Sequence, residues 1–217
     1  VLMADVCMCT VTDHGHCGHV HEGTILNDRT VTSLADMAVI AAEAGADYVG
    51  ASDMMDGRVY AIRAALEDAG HHGTGLLSYA VKFASAFYGP FRDAAGSSPR
   101  EGDRRSHQMD PRAPVKEAVM EARLDEEEGA DVLMVKPALA YLDVVAAVQA
   151  ATHRPIAVYN VSGEYAMVHA QHPNQDSRRD VVEEIMRSFR RAGADVIVTY
   201  HAREIFTEGW LGAGHEP

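Results

Sequence analysis

Long apolar runs are missing from this 217-residue chain. Nothing approaches the ~20 consecutive apolar residues of a membrane-spanning helix, and no basic segment precedes an apolar one at the N-terminus, so neither an anchor nor a secretory leader is expected. Basic residues are in deficit, 19 against 32 acids, for a net charge of −13. A field of that sign repels phosphate backbones and anionic lipid, which argues against nucleic acid and membrane surfaces as partners. Cysteine is scarce: Cys7, Cys9 and Cys17 are the only three, an odd set gathered at one end. That pattern does not make the disulfide framework of a small secreted protein. It points to a metal site in a reducing compartment, and the chain reads as a cytosolic, cytoplasmic enzyme. Lysine is also rare, with only Lys82, Lys116 and Lys136 among the basic residues; since arginine supplies the other cations, a lysine inside an apolar run needs a reason. What remains, 47% hydrophobic and 24% charged, is ordinary globular composition. Disorder and collagen-like repeats are excluded, and the length suits one domain with a real core.

Short apolar, β-rich runs alternate with segments of helical period. Strands are expected at Val1–Cys9, Tyr48–Met55, Leu76–Ala84, Val132–Pro137, Ile156–Ser162 and Val196–His201, near-continuous apolar runs of the kind a two-sided parallel sheet needs. Helices are expected at Thr32–Glu43, Val59–Ala69, Val115–Glu128, Leu142–Ala150 and Arg178–Arg191, with a last one after Ala202. Three of them end in the same Gly-Ala-Asp step, at Gly45, Gly129 and Gly193; a glycine just past a helix supplies a left-handed cap before the next strand. No phosphate-binding glycine fingerprint follows any strand, so the fold class is α/β, a (β/α)8 TIM barrel with about six of its eight units in this chain, single-domain and N-terminally truncated. Residues 83–113, rich in Gly, Pro, Ser and Arg and without period, form either an active-site lid suited to an anionic substrate or a solvated loop.

Chemistry is concentrated in a few places. In an extended segment, Cys7 and Cys9 face the same way, and the Gly15 turn can return Cys17 to them. Three thiolates favour zinc and leave a fourth position open, as in a catalytic site; the alternative is reduced structural cysteines with His14 or His16 as fourth ligand. Lys82 and Lys136 each end an apolar strand, where barrels place catalytic groups. Burial and mutual repulsion lower an amine's pKa, and a neutral amine attacks a ketone to form a Schiff base; a snorkelling or salt-bridged lysine is the alternative for each. Asp5, the Ser52–Gly57 turn, Ser162–Tyr165 and Thr199–His201 also sit at strand ends and converge on the same rim, although Ser52 and Ser162 equally suit helix N-caps.

These motifs, DVCMCTVTDHGHCG, SDMMDGRVYAIRAAL, SYAVKFASAFYGPFRDA, GDRRSHQMDP, EGADVLMVKPALAYLD, YNVSGEYAM and RAGADVIVTYHA, occur in the order of the porphobilinogen synthase (δ-aminolevulinic acid dehydratase) family, which the chain closely resembles. The resemblance implies a hydro-lyase of haem and tetrapyrrole synthesis that joins two 5-aminolevulinate molecules, with loss of two waters, to give porphobilinogen. It implies Lys136 as the Schiff-base lysine and Lys82 as its partner. It makes Cys7, Cys9 and Cys17 zinc ligands, Arg92, Arg104 and Gln108 holders of one substrate carboxylate, and Ser162 and Tyr200 holders of the other. Asp5 and Ser52 fall near the first substrate's amine, and Glu121 falls where many bacterial members bind an allosteric magnesium. The family forms homo-octamers through an N-terminal arm; that arm and the first two strands have no counterpart here, which leaves assembly and activity open. His107 replaces the family's usual Tyr, and Ala51 its usual Pro. The competing readings are an inactive fragment of this enzyme and a class I aldolase-type Schiff-base lyase.

Overall fold

The computed structural model describes residues 1–89, 91 and 104–210. Strand β1 (Met3–Val6) leads into a small antiparallel hairpin, β2 (Val20–His21) and β3 (Thr24–Ile25). The remaining strands are β4 (Tyr48–Ala51), β5 (Gly75–Lys82), β6 (Val132–Lys136), β7 (Ile156–Asn160) and β8 (Val196–Thr199). Strands β1, β4, β5, β6, β7 and β8 form one parallel sheet in chain order. The helices are α1 (Asn27–Glu43), α2 (Arg58–Asp68), α3 (Val115–Glu127), α4 (Leu142–Ala151), α5 (Ser162–Gln171), α6 (Gln175–Ala192) and α7 (Ala202–Thr207). Strands that follow one another without reversal of order are the winding of a barrel, not of a doubly wound sheet, and the chain makes a partial (β/α)8 barrel. Among the described residues β1 and β8 each pair on one side only, and no helix is long and apolar enough to cross a membrane.

Alternation along the strands divides the core in two. Leu133, Val135, Ile156 and Val158 join the helix residues Leu34, Ile62, Val145 and Phe189, all at most 1% exposed; each such side chain contributes about 1.5–3 kcal/mol by burial. On the other face Leu77, Val132, Met134 and Ala157 make a smaller cluster, with Tyr48, Tyr79, Tyr159 and Val198 packed on it.

The recurrent Gly-Ala-Asp step has a physical basis. Gly45, Gly129 and Gly193 have φ of 97°, 105° and 109°, the left-handed region in which a side chain is strained. The aspartate then clamps the neighbouring strand. Asp47, Asp131 and Asp195 accept the backbone N–H of Leu2, Leu76 and Ile156 at 2.7–2.9 Å, and each donates its own N–H to the carbonyl of that same residue.

Several boundaries differ from expectation. Strand β1 stops at Val6 because Met8 accepts from Val11 and Thr12, which turns the cysteine segment out of the sheet. Helix α1 begins at Asn27, earlier than Thr32, with the Thr30 hydroxyl donating to the Leu26 carbonyl. Ser162–Gln171 is helical from the residue expected to end a strand: buried Glu164 accepts the N–H of Val161 and of Leu139 and so starts α5 at once.

Arg58, at the start of α2, holds three elements together. It lies 3.2 Å from Asp125 of α3 and 3.6 Å from Asp53, and donates to Ser78 of β5 at 3.0 Å. All four side chains are buried. Arg58→Met leaves two buried carboxylates without their cation and is expected to cost about 3–5 kcal/mol; an unchanged urea midpoint would contradict this role.

Candidate active site

Lys82 and Lys136 are register partners at the C-terminal ends of β5 and β6. The register shifts between them: β5 advances from Ser78 to Val81 while β6 advances only from Leu133 to Val135. This bulge decides where Lys82 points. Ser78 bonds to Asp125 in the helix layer, whereas Leu77 and Tyr79 belong to the inner cluster. Strict alternation would send Lys82 outward with Ser78 and Ala80; the extra residue puts Ala80 and Val81 both in the outer core and turns Lys82 inward, opposite Lys136. Bulges re-aim side chains in this way.

Both amines line a cavity of about 210 Å³, with Asp5, Ser52, Tyr79, Tyr159, Ser162 and Tyr200 also in its wall. The ammonium of buried Lys82 donates to the Ser52 carbonyl and so has a fixed position. Among the described residues Lys136 has no such anchor; its Nζ lies over the rings of Tyr159, Tyr79 and Tyr88 at 4.1, 5.1 and 5.5 Å. The Tyr88 hydroxyl donates to the carbonyls of Phe83 and Lys136, which ties the loop after β5 to the end of β6. Burial first, and the Lys82 charge second, bring the Lys136 amine down to about 7, so a large share is unprotonated at neutral pH.

Two of the three thiols face the same cavity. Cys7 and Cys9 line it, with their Sγ atoms 3.4 Å apart, and the Cys17 sulfur lies within 4.8 Å of both. Strand β1 stops at Val6, short of the expected Cys9: Cys7 follows it directly and Cys9 lies in the turn beyond Met8, and the two sulfurs still face the same way. Gly15, at φ 73°, reverses the chain toward Cys17 as expected. No disulfide forms. Neither His14 nor His16 brings a ring nitrogen within 4.8 Å of all three sulfurs; the thiols cluster by themselves. The hydrogen bond with Cys17, then burial, push the Cys7 thiol up to about 12, so a cation entering here displaces protons. A tetrahedral zinc with Zn–S near 2.3 Å requires sulfurs about 3.8 Å apart, and this all-thiol cluster fits it.

The remaining expected residues divide. Asp5, Ser52, Ser162, Tyr200 and Arg104 reach the cavity. Arg104 is buried, donates to the Gly15 carbonyl at 2.9 Å, and so joins residues beyond the loop to the cysteine turn. Gln108 instead lines a neighbouring cavity of about 460 Å³ between Ala84–Phe87 and Tyr141, which Arg104 also borders. Arg92, with Arg100, lies outside the described residues, as do residues 90 and 92–103 of the expected lid. Glu121 stands on α3 near Asp125 and Arg58, remote from the cavity; burial, then Asp125, raise its carboxyl, and no group of three metal-binding side chains includes it among the described residues. The N-cap alternatives do not hold. Val161 and Gly57 occupy those positions, and the Ser162 hydroxyl accepts the N–H of Phe91. Asp53 and Asp56 of the Ser52–Gly57 turn serve Arg58 and Asn27 rather than the cavity.

Sequence reasoning missed Tyr79, Tyr88 and Tyr159. Alternation from Leu77 and Ala157 could have placed Tyr79 and Tyr159 on the inner face. It also missed the close approach at Gly163, where a Cβ would lie 2.4 Å from the Phe87 carbonyl oxygen; only glycine lets the loop after β5 rest on α5.

Fold and site define a (β/α)8-type barrel with paired strand-end lysines beside a thiol cluster. The chain belongs to the delta-aminolevulinic acid dehydratase family, whose model matches residues 1–208. It is 55% identical to the delta-aminolevulinic acid dehydratase of Methanothermobacter thermautotrophicus and 51% to that of Helicobacter pylori, in each case over 94% of this chain. It spans 63% and 64% of the lengths of these relatives. The porphobilinogen synthase of Toxoplasma gondii, solved with its product porphobilinogen, superposes with a TM-score of 0.93 at 48% identity, over all of this chain and 64% of that one.

Lys136 labelling by an amine-selective reagent is expected to rise through roughly pH 6 to 8 and level off, well below the ~10.4 of an ordinary lysine. Below its lowered pKa the amine is protonated and inert. Lys82→Met removes one of the two depressing causes and shifts the midpoint upward while leaving it below the ordinary value; peptide mapping across the pH series reads both.

Proposed function

We propose that this chain carries the condensing centre of a porphobilinogen synthase, a hydro-lyase of tetrapyrrole synthesis that joins two 5-aminolevulinate molecules to porphobilinogen with loss of two waters. The observation that carries this reading is the register-matched lysine pair with one lowered amine, sharing a cavity with Cys7 and Cys9, against which Cys17 clusters. The neutral Lys136 amine attacks the ketone of the first substrate and expels its oxygen as water, giving a Schiff base. Lys82, held on the Ser52 carbonyl, keeps that amine depressed and supplies a fixed positive charge. Ser162 and Tyr200 donate to the first substrate's carboxylate, and Asp5 accepts from its ammonium. Arg104, which borders both cavities, holds the carboxylate of the second together with Arg92, and Gln108 would reach it from the adjoining cavity. Cys7, Cys9 and Cys17 would hold a zinc ion, which when bound supplies Lewis-acid polarisation of a substrate oxygen. Magnesium at Glu121, a homo-octameric assembly and a cytoplasmic location belong to the same reading, with residues 83–113 as the cover of the site.

An open sheet favours the second reading, an inactive fragment, because β1 and β8 each have an unpaired side among the described residues. Borohydride reduction in the presence of 5-aminolevulinate decides between the two. Mass mapping is expected to find the reduced adduct on Lys136 and none in Lys136→Met. No adduct on the chain, under conditions that label a full-length relative, would leave only the fragment reading.

A further inference from the structure

Beside β8, outside the lysine cavity, three ligating side chains converge that the proposed reaction does not use. His201, between β8 and α7, is 0% exposed, and neither ring nitrogen has a hydrogen-bond partner among the described residues. His169, near the end of α5, stacks on it with centroids 5.6 Å apart and planes inclined by 11°; its Nε2 is likewise buried without such a partner. Glu204, within α7, turns Oε2 to both, at 3.8 Å from His201 Nδ1 and 3.9 Å from His169 Nε2. Its other oxygen, Oε1, accepts from Arg178 of α6, Nη2 at 2.5 Å and Nε at 3.1 Å, with Nε also 3.4 Å from Oε2. Arg178 is itself fixed on the carbonyls of His172 and Pro173. The carboxylate is therefore oriented from outside, with one oxygen aimed between two imidazoles.

Buried polar atoms ordinarily have partners. Here two rings and a carboxylate bring donor atoms together, all within 4.8 Å of one another. A tetrahedral ion bound through imidazole and carboxylate sets its donors about 3.3–3.5 Å apart, so small side-chain rotations complete the site. We propose that His169, His201 and Glu204 bind a second divalent transition-metal ion, of the zinc class, distinct from the thiol cluster. Two imidazoles select against calcium and magnesium, which take oxygen ligands. The ion braces α5 to α7. Tyr165 packs 4.1 Å from His169, 4.6 Å from His201 and 5.7 Å from Tyr200, so the brace reaches the cavity wall through one ring.

Cobalt(II) titration of the full 217-residue chain tests this, because thiolate ligation gives an intense sulfur-to-cobalt absorption band and an imidazole–carboxylate set does not. Wild type is expected to bind one cobalt more per chain than His169→Ala, and the additional ion adds no sulfur band. In the variant that equivalent binds at least ~10-fold more weakly. Equal stoichiometry and affinity in the two chains would overturn the site. Cys7→Ser provides an independent readout should His169→Ala lose its helical circular dichroism: a band-free equivalent retained in Cys7→Ser supports the proposal, and no bound cobalt in it refutes the proposal.

Discussion

One extra residue in β5 governs the chemistry of this molecule. Between Ser78 and Val81 the strand gains a residue on its neighbour β6, and every side chain after that point changes face. Before the bulge, even-numbered positions of β5 look toward the helices, where Ser78 meets Arg58 and Asp125. Continued alternation would deliver the Lys82 ammonium into that layer, beside a buried guanidinium. With the bulge, Lys82 and Lys136 stand side by side on the inner face, and the repulsion that helps to depress Lys136 follows from the register. The apolar residues Ala80 and Val81 fill the outer core in its place.

The composition of the chain makes sense around that pair. Arginine stays charged at any accessible pH and cannot act as a nucleophile; it supplies the structural cation at Arg58 and the clamp at Arg178 on Glu204. Lysine, whose pKa moves when it is buried, supplies the two buried amines of the site, and only Lys116, exposed on α3, lies elsewhere. Three aromatic rings lie within 5.5 Å of the Lys136 Nζ, and desolvation is the largest cause of its lowered pKa. The ring faces also attract the protonated form, so the net lowering means that burial and the second ammonium prevail.

Polar contacts tie the loops to this frame. Arg104 reaches across to the Gly15 carbonyl, the Ser162 hydroxyl takes the Phe91 N–H, and Tyr88 bridges the ends of β5 and β6. At the opposite end of the sheet, the aspartates after Gly45, Gly129 and Gly193 lock the strand starts. One end is thus fastened by a repeated device, while the other carries the reactive groups on individually anchored loops, the usual division of labour in a barrel.

Much of this was legible in the residues. Near-continuous apolar runs, left-handed glycines after helices and strand-end lysines gave the parallel units and the two lysine positions of the candidate site, because those signals are local. The cysteine trio was found too, although β1 stops at Val6 and Cys9 sits in the turn that follows instead of in the strand. The start of α5 at Ser162 was hidden because its signal is the buried carboxylate of Glu164, whose partners lie on other elements. By itself the sequence determined which chemical groups are present and which strands carry them. The tertiary structure decided which groups meet: the β5 bulge, the tyrosine wall, the separation of Gln108 from the lysine cavity, and the convergence of His169, His201 and Glu204. Register and inter-element approach depend on packing between segments distant along the chain, and no local pattern records them.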